Sequence, residues 1–170
     1  MKKSTAQERV DKVLKKKKLI KKAEYKILAL DVATHCGWAI EGLSGVWDLS
    51  VKKDESSSYR LIRFRAKLKE ICELENINLI AFERTSGQHK NSLIVQSEIH
   101  GVLKVFCSDN KIEHRAFSAS EIKKHATGKG NAGKPAMIQA AQEKLGYQGK
   151  DDNEADALWI YDLTKKSLNI

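Results

Sequence analysis

Three hydrophobic segments of this chain each carry a carboxylate, and no other feature constrains the fold as strongly. The segments are ILALDVATHCGWA (residues 27–39), LIAFE (79–83) and DDNEADALWI (151–160). An unpaired charge inside a buried element costs several kcal/mol, so such acids are usually ion-paired or bound to a cation. We predict that the acids of the three segments converge on one divalent metal site, as in an enzyme that cuts phosphodiesters: Asp31, Glu83, Asp152 and Asp156. A salt-bridged strand aspartate is the alternative for Asp31, and a solvated strand end is the alternative for Glu83.

The third segment has the pattern of a helix that places its acids on one face. Asp152 and Asn153 precede Asp156 by four and three residues, which is the spacing of neighbours on a helix surface. Two carboxylates four residues apart repel each other and weaken an isolated helix, and a cation bound between them would remove that penalty. The apolar residues of the segment also recur at helical spacing: Ala155, Ala157, Leu158, Ile160 and Tyr161.

Hydrophobic periodicity predicts one α/β domain over residues 26–170. The first three strands should form an antiparallel run joined by tight turns, and Glu83 should lie at the carboxyl end of the fourth, where ligand sites of parallel sheets collect. The predicted strands are 26–32, 36–42, 45–51, 79–83 and 112–117. The predicted helices are 57–75, 91–107, a short one near 119–125, 134–145 and 151–166.

Residues 123–135 combine four lysines with three glycines, and we predict a phosphate-binding loop there. Glycines let backbone amides approach a phosphate closely, and Pro135 suits the first turn of the following helix. A solvated, flexible loop is the alternative. The lysines are Lys123, Lys124, Lys129 and Lys134.

Taken together, these segments resemble the RuvC family of Holliday-junction resolvases from about Lys26 to Leu163. The likeness includes the Asp-x-x-Thr-x-x-Gly-Trp-Ala opening, the Ile-Ala-Phe-Glu strand, the Ser-Ala-Ser-Glu-Ile-Lys-Lys segment, the Gly/Lys-rich loop and the closing Glu-Ala-Asp-Ala-Leu helix. It implies a ribonuclease-H-like α/β fold with a mixed five-stranded sheet flanked by helices. It also implies a homodimer that cuts four-way junctions, and possible action on forks and flaps would fit a phage-encoded relative.

The resemblance makes Asp31, Glu83 and Asp156 ligands of Mg²⁺, for which Mn²⁺ could substitute. Family members carry an acid or a histidine three residues before the helix aspartate, where this chain has Asn153. We expect Asp152 to supply the fourth carboxylate, with Asn153 as the alternative. Lys134 corresponds to a family lysine near the scissile phosphate, and Lys123 to a second basic position. We expect two Mg²⁺ ions roughly 4 Å apart, bridged by Asp31.

The segment that follows Glu83 differs from the corresponding segment of the family. Bacterial members place an aromatic wedge three residues further on, where this chain has Ser86. The segment is instead polar and basic through Arg84, His89 and Lys90, which we expect to contact DNA. Two alternative functions remain at this stage: a ribonuclease-H-like enzyme that processes RNA, and a DNA-binding module that does not cut.

The net charge of +9 is concentrated at the N-terminus. Residues 1–26 hold eleven basic and three acidic residues, so residues 1–25 form a basic arm that we expect either to order on DNA or to remain a solubilising tail. No apolar run approaches the ~20 residues that cross a bilayer, which favours a cytoplasmic protein without membrane contact, in a bacterial or phage-infected cell. The three cysteines include no Cys-x-x-Cys pair, and we expect buried free thiols.

Overall fold

The computed structural model describes residues 24–85 and 90–170 of this chain. Its five strands are β1 (Ile27–Asp31), β2 (His35–Ile40), β3 (Leu43–Asp48), β4 (Leu79–Glu83) and β5 (Glu113–Phe117). They form one mixed sheet in the order β3-β2-β1-β4-β5. The first three strands pair antiparallel, whereas β4 runs parallel to both β1 and β5. The predicted mixed five-stranded sheet is confirmed.

Helices cover both faces of the sheet. They are α1 (Ser58–Glu75), α2 (Lys90–Asn110), α3 (Ala119–Thr127), α4 (Lys134–Leu145) and α5 (Asp152–Leu168). Each lies within a few residues of the helix that the sequence predicts. No described helix is long and apolar enough to cross a membrane.

Side-chain alternation along the two central strands separates the core into two layers. Leu28 and Leu30 of β1 pack with α1 and α2, as do the large residues of β4. Ala29 and Ala81 face the other way, toward α3, α4 and α5. Because successive side chains of a strand point to opposite faces, Asp31 and Glu83 lie on the same face as these alanines. Both acids are thereby directed toward α5.

The structure corrects two details of the predictions. The β2–β3 turn lies at Glu41–Gly42, and Ile40 pairs with Leu43, so β3 begins two residues before the predicted 45–51 strand. Gly42 has a φ of 76°, a conformation that a glycine adopts without strain. The predicted loop at 123–135 is also shorter. Lys123 and Lys124 belong to α3, Lys134 is the first residue of α4, and only residues 128–133 connect the two helices.

Two further predictions are confirmed, and others fall on residues that the structure does not describe. The cysteines are buried free thiols, as expected: Cys36, Cys72 and Cys107. Pro135 occupies the first turn of α4, as the sequence predicts. The basic arm up to residue 23, Ser86 and His89 lie outside the described residues.

Candidate metal centre and nucleic-acid surface

Two of the four predicted acids occupy the carboxyl ends of adjacent parallel strands. Asp31 ends β1 and Glu83 ends β4, and the Leu30–Phe82 pair lies immediately before both. Asp31 is partly buried, in line with its position between the sheet and α5. The neighbouring strand ends bring two carboxylates to one edge of the sheet.

Helix α5 carries the other two acids to the same edge. Asp151 caps its N-terminus by accepting hydrogen bonds from the backbone N–H groups of Asn153, at 2.9 Å, and Glu154, at 3.1 Å. This cap makes Asp152 the first helical residue and places it one turn before Asp156. The first turn of α5 lies directly on β2, where Gly37 contacts the backbone of Asn153.

The four carboxylates are close enough to change one another's ionisation. Burial raises the pKa of Asp31 well above its ordinary value, and three neighbouring carboxylates raise it further: Asp156, Glu83 and Asp152. Burial, followed by the charges of Glu83 and Asp152, raises the pKa of Asp156 from 3.8 to about 6. This repulsion means that the cluster holds an excess of negative charge that a cation would neutralise.

Two lysines offset part of that charge. Lys134 donates a hydrogen bond from its Nζ to Asp152, and this ion pair raises the pKa of Lys134. The positive charge of Lys123 in α3, and that of Lys134, act in the opposite direction on the pKa of Asp156 and lower it. Lys123 and Lys134 therefore both lie close enough to the acids to affect their ionisation.

The carboxylates lie near one another, but in the described part of the chain no three acidic, histidine or cysteine side chains are grouped closely enough to hold a metal ion as they stand. Asp152 is turned toward Lys134, with which it forms an ion pair. Beside them is an open cleft of about 510 Å³. Most of the residues that line it are polar, and they come from the segment between β1 and β2, from α2 and from the starts of β2, α4 and α5: Thr34, His35, Asn91, Ser92, Gln96, Lys134, Asp152 and Asn153.

Among the described residues, the other side chains predicted to contact DNA are exposed. Lys124 and Lys129 are exposed, as is Lys90 at the start of α2. Arg84 follows Glu83, and its Nε donates to the carbonyl of Ala116 at 3.2 Å. Together they place several cationic side chains at the surface.

A buried hydrogen-bond network that the sequence analysis did not identify fixes the start of α5. Glu154 accepts hydrogen bonds from Ser44 of β3, at 2.7 Å, and from the hydroxyl of Tyr147, at 2.9 Å. Tyr147 is buried, and its hydroxyl also contacts the backbone of Asp151. The available signal was a glutamate between the two predicted acids of the helix, two residues after Asp152 and two before Asp156.

A second missed residue is His100, which lies in the buried stripe of α2. Its Nε2 is 3.0 Å from the backbone carbonyl of Glu83, and its Nδ1 is 2.8 Å from the hydroxyl of Thr85. Burial lowers the pKa of His100. The available signal was a polar residue beside Ile99 and Leu103 in an otherwise apolar stripe.

Comparison with known families identifies the same chemistry. A sequence profile of the crossover junction endodeoxyribonuclease RuvC family matches residues 44–161, which include three of the four acids. The chain is 28% identical to RuvC of Brachyspira hyodysenteriae over 109 residues, which covers 64% of this chain and 68% of the relative. It is 27% identical to RuvC of Gloeobacter violaceus over 103 residues, which covers 59% of this chain and 60% of the relative.

Solved structures agree on the fold. RuvC of Thermus thermophilus superposes with a TM-score of 0.65 at 21% identity, covering 79% of this chain and 89% of that one. The same protein in complex with a Holliday junction gives 0.67 at 19% identity, with 81% and 90% covered. The yeast mitochondrial Holliday junction resolvase Ydc2 gives 0.55 at 12% identity, with 80% and 75% covered. The fold is therefore ribonuclease-H-like, and the chain belongs to the RuvC family of crossover junction endodeoxyribonucleases, the Holliday-junction resolvases.

Proposed function

We propose that this chain cuts four-way DNA junctions with the help of divalent metal ions held by Asp31, Glu83, Asp156 and Asp152. The observation that carries the proposal is the convergence of four carboxylates from β1, β4 and α5 at one edge of the sheet, where burial and the neighbouring acids raise the pKa of Asp31 and of Asp156. Such a charge excess is costly without a cation and favourable with one. Lys123 and Lys134 beside it supply positive charge that suits a phosphate.

The residues present fit Mg²⁺, with Mn²⁺ as a substitute. Mg²⁺ prefers hard oxygen ligands and is usually held by a few carboxylates while it keeps several waters, and this site offers carboxylates at a solvent-accessible edge. When bound, the ions would lower the pKa of an attacking water and stabilise the charge on the leaving 3′ oxygen. Asp31, whose pKa is raised by burial and by all three other acids, would be one of the residues that hold the ions.

Asp152 is the proposed fourth ligand, in preference to Asn153. The carboxylate of Asp152 acts on the pKa of both Asp31 and Asp156. The backbone of Asn153 is committed to the contact with Gly37, and its side chain offers only a neutral amide oxygen. A carboxylate binds Mg²⁺ more strongly than an amide does.

The chain's cationic residues would bind and orient the DNA backbone. Lys134 would release Asp152 to the metal and contact the reacting phosphate, while Lys123 would hold it from α3. The other basic residues that the sequence analysis names would contact flanking phosphates, without reading sequence: Arg84, His89, Lys90, Lys124 and Lys129. The N-terminal arm, residues 1–25, would add further phosphate contacts.

Helix α2 is the proposed interface of a homodimer. Its outward surface exposes Ile94 and Val105, at 48% and 61%, and adding a side chain at Gly101 would meet no atom of the same chain. Exposed apolar residues on one helix face are favourable sites for burial against a partner. A two-fold dimer would place one metal site on each of two opposed DNA strands.

The decisive experiment is single-turnover cleavage of a synthetic four-way junction, a fork and a plain duplex, with Mg²⁺, with Mn²⁺ and with EDTA. We expect cleavage of the branched DNAs only with a divalent ion. Asp31→Asn, Glu83→Gln and Asp156→Asn should each abolish cutting yet preserve or tighten junction binding, because each removes a negative charge that repels phosphate.

Asp109→Asn is the matched control, since it makes the same change of charge at an exposed position of α2. Wild-type cleavage in EDTA would contradict the metal requirement. Full activity of the Asp31 or Glu83 variant would contradict the ligand assignment. Cleavage of an RNA hairpin in preference to the junction would favour the RNA-processing alternative.

A further inference from the structure

We propose that His100 is a positioning residue that fixes the backbone at Glu83 and thereby directs the Glu83 carboxylate into the metal site. The inference rests on the metal-dependent function proposed above. It assigns a role in that function to a residue of α2 that does not itself reach the carboxylates. The supporting observations are its burial, its contacts and the place of Glu83 in the sheet.

The burial of His100 is unusual for its residue type. It is 6% exposed, and among residues 24–85 and 90–170 only Thr164 is a similarly buried polar residue. Thr164 donates to the carbonyl of Ile160 within its own helix, at 2.6 Å. His100 instead spans the gap from α2 to the end of β4. A buried polar group that makes tertiary hydrogen bonds holds two elements in a fixed relation.

The contacts of His100 converge on three residues at the end of β4. The carbonyl of Glu83 lies 3.0 Å from Nε2 and only accepts hydrogen bonds, and it accepts one from the tautomer of His100 that carries its hydrogen on Nε2. The hydroxyl of Thr85 lies 2.8 Å from Nδ1, and Nδ1 also lies 2.9 Å from the carbonyl of Gln96 in the same helix. The imidazole packs on Phe82, with ring centroids 5.1 Å apart.

The register of the sheet places the carbonyl of Glu83 at the end of the β1–β4 ladder, within reach of His100. Backbone groups of alternate strand residues point to opposite neighbours. Leu79 donates to Lys26 on the β1 side, whereas Arg84 donates to Phe117 on the β5 side. Glu83 therefore presents its carbonyl toward β1, but the β1–β4 register ends one residue earlier, at the Leu30–Phe82 pair. His100 supplies a hydrogen bond beyond the end of the ladder.

This hydrogen bond constrains the carboxylate indirectly. The side chain of Glu83 faces α5, while its carbonyl is held from the side of α2. Fixing the peptide plane after Glu83 limits rotation about its ψ angle and so limits the movement of the following turn. Partners of this kind, which orient a ligand residue without touching the metal, typically contribute 10–100-fold to metal affinity or activity.

The test compares His100→Gln, His100→Asn and His100→Ala in the full-length protein. The amide nitrogen of glutamine falls near the position of Nε2 and can donate to the Glu83 carbonyl, whereas the shorter asparagine cannot reach it. We expect the Mg²⁺ concentration for half-maximal junction cleavage to rise roughly tenfold or more in the Asn and Ala variants, and to stay within about threefold of wild type in the Gln variant. A readout independent of activity is the increase in Tm of DNA-free protein on adding Mn²⁺, which should weaken in the same order.

Thr164→Val is the matched control, because it removes another buried polar group on the opposite layer of the core. It should lower Tm without changing the Mg²⁺ midpoint. The inference is overturned if all three His100 variants keep the wild-type midpoint, or if the Gln and Asn variants are equally impaired. Wild-type protein that shows no dependence on divalent ions would instead overturn the proposed function, and this inference with it.

Discussion

Gly37 lies against the backbone of Asn153 so closely that a Cβ at residue 37 would overlap the Asn153 carbonyl oxygen. Gly37 is also the register partner of Asp31 across the β1–β2 pair. This close approach therefore brings the first turn of α5 onto the strands beside Asp31. The separation between Asp31 and the two acids of α5 depends on the absence of a side chain at this one position.

Gly37→Ala should consequently reduce both stability and cleavage. The added methyl group meets backbone atoms, which cannot rotate away as a side chain could, so α5 or β2 must shift. Overpacking of this kind costs typically about 1–3 kcal/mol of the free energy of unfolding. Urea denaturation measures that cost, and single-turnover cleavage measures the displacement of Asp152 and Asp156.

Arg65→Ala is a control for the stability measurement, since Arg65 is an exposed residue of α1, outside the proposed metal site and dimer interface. It should keep or increase the free energy of unfolding, because alanine has the higher helix propensity. If Gly37→Ala matches wild type in both assays, α5 is not held at its position by this contact.

Asp156→Asn should stabilise the metal-free protein in a pH-dependent way. The pKa of Asp156 is raised from 3.8 to about 6 by burial and by the Glu83 and Asp152 carboxylates, so the folded state holds this proton more tightly than the unfolded chain does. Ionised Asp156 therefore costs stability. The cost is absent below pH 3.8, develops as the pH rises toward 6, and is complete above it.

The variant should thus gain about 1–3 kcal/mol at pH 7.5 in EDTA, given ~1.4 kcal/mol per pKa unit, and nothing near pH 3.5. Mg²⁺ should narrow the difference at pH 7.5, because wild-type protein then gains an ion that the variant binds poorly. Urea denaturation at the two pH values measures both effects. A gain of equal size at both would show that the stabilisation does not come from the charge of Asp156.

Glu154 should influence cleavage through the position of α5. Glu154→Ala removes the acceptor of the Ser44 hydroxyl and one of the two acceptors of the Tyr147 hydroxyl, and leaving a buried polar group unsatisfied costs about 1–3 kcal/mol. Glu154→Gln keeps one oxygen acceptor and should cost less. Cleavage should fall in the Ala variant more than in the Gln variant.

Glu143→Ala provides the comparison, because Glu143 is an exposed residue of α4 that bonds Gln139 in the same helix. It should leave cleavage unchanged. Should Glu154→Ala lower the denaturation midpoint while cleaving at the wild-type rate, the network would be structural without bearing on the acids.

Lys134→Ala should slow cleavage far more than it weakens junction binding. Lys134 pairs with Asp152 and faces the acids, so it can stabilise charge at the reacting phosphate, and losing such a donor costs about 10²–10³-fold in rate. Lys129→Ala, in the exposed loop before α4, should change the rate little. A Lys134 variant that cuts at the wild-type rate under saturating protein would reduce Lys134 to a surface lysine.

Much of this architecture could be predicted from the sequence because local patterns determine it. The apolar runs that end in Asp31 and Glu83 are buried strands whose carboxyl ends adjoin. The periodicity of residues 151–166 predicts α5 within two residues of its observed bounds. Pro135 marks the start of α4 within one residue. In each case the signal lies within a few residues of the feature that it predicts.

The remaining features depend on contacts between distant segments, which no local pattern encodes. Glu154 bonds Ser44 across 110 positions, and His100 reaches Glu83 across 17. Likewise, the sequence around Gly37 indicates only a strand residue, and its close approach to Asn153 becomes apparent only when α5 is placed on β2. The supports of the acids were therefore missed although the acids themselves were identified.

The last prediction decides between Asp152 and Asn153 as the fourth ligand. Asp152→Asn should be nearly as damaging to cleavage as Asp156→Asn, whereas Asn153→Ala should be mild, because it keeps the backbone carbonyl that contacts Gly37. The double variant Asp152→Asn/Asn153→Asp moves the carboxylate by one residue without changing the net charge. It should stay inactive if position 152 holds the metal. Single-turnover cleavage of a four-way junction measures all four proteins, and recovery of activity in the double variant, or an active Asp152→Asn beside an inactive Asn153→Ala, would assign the ligand to position 153.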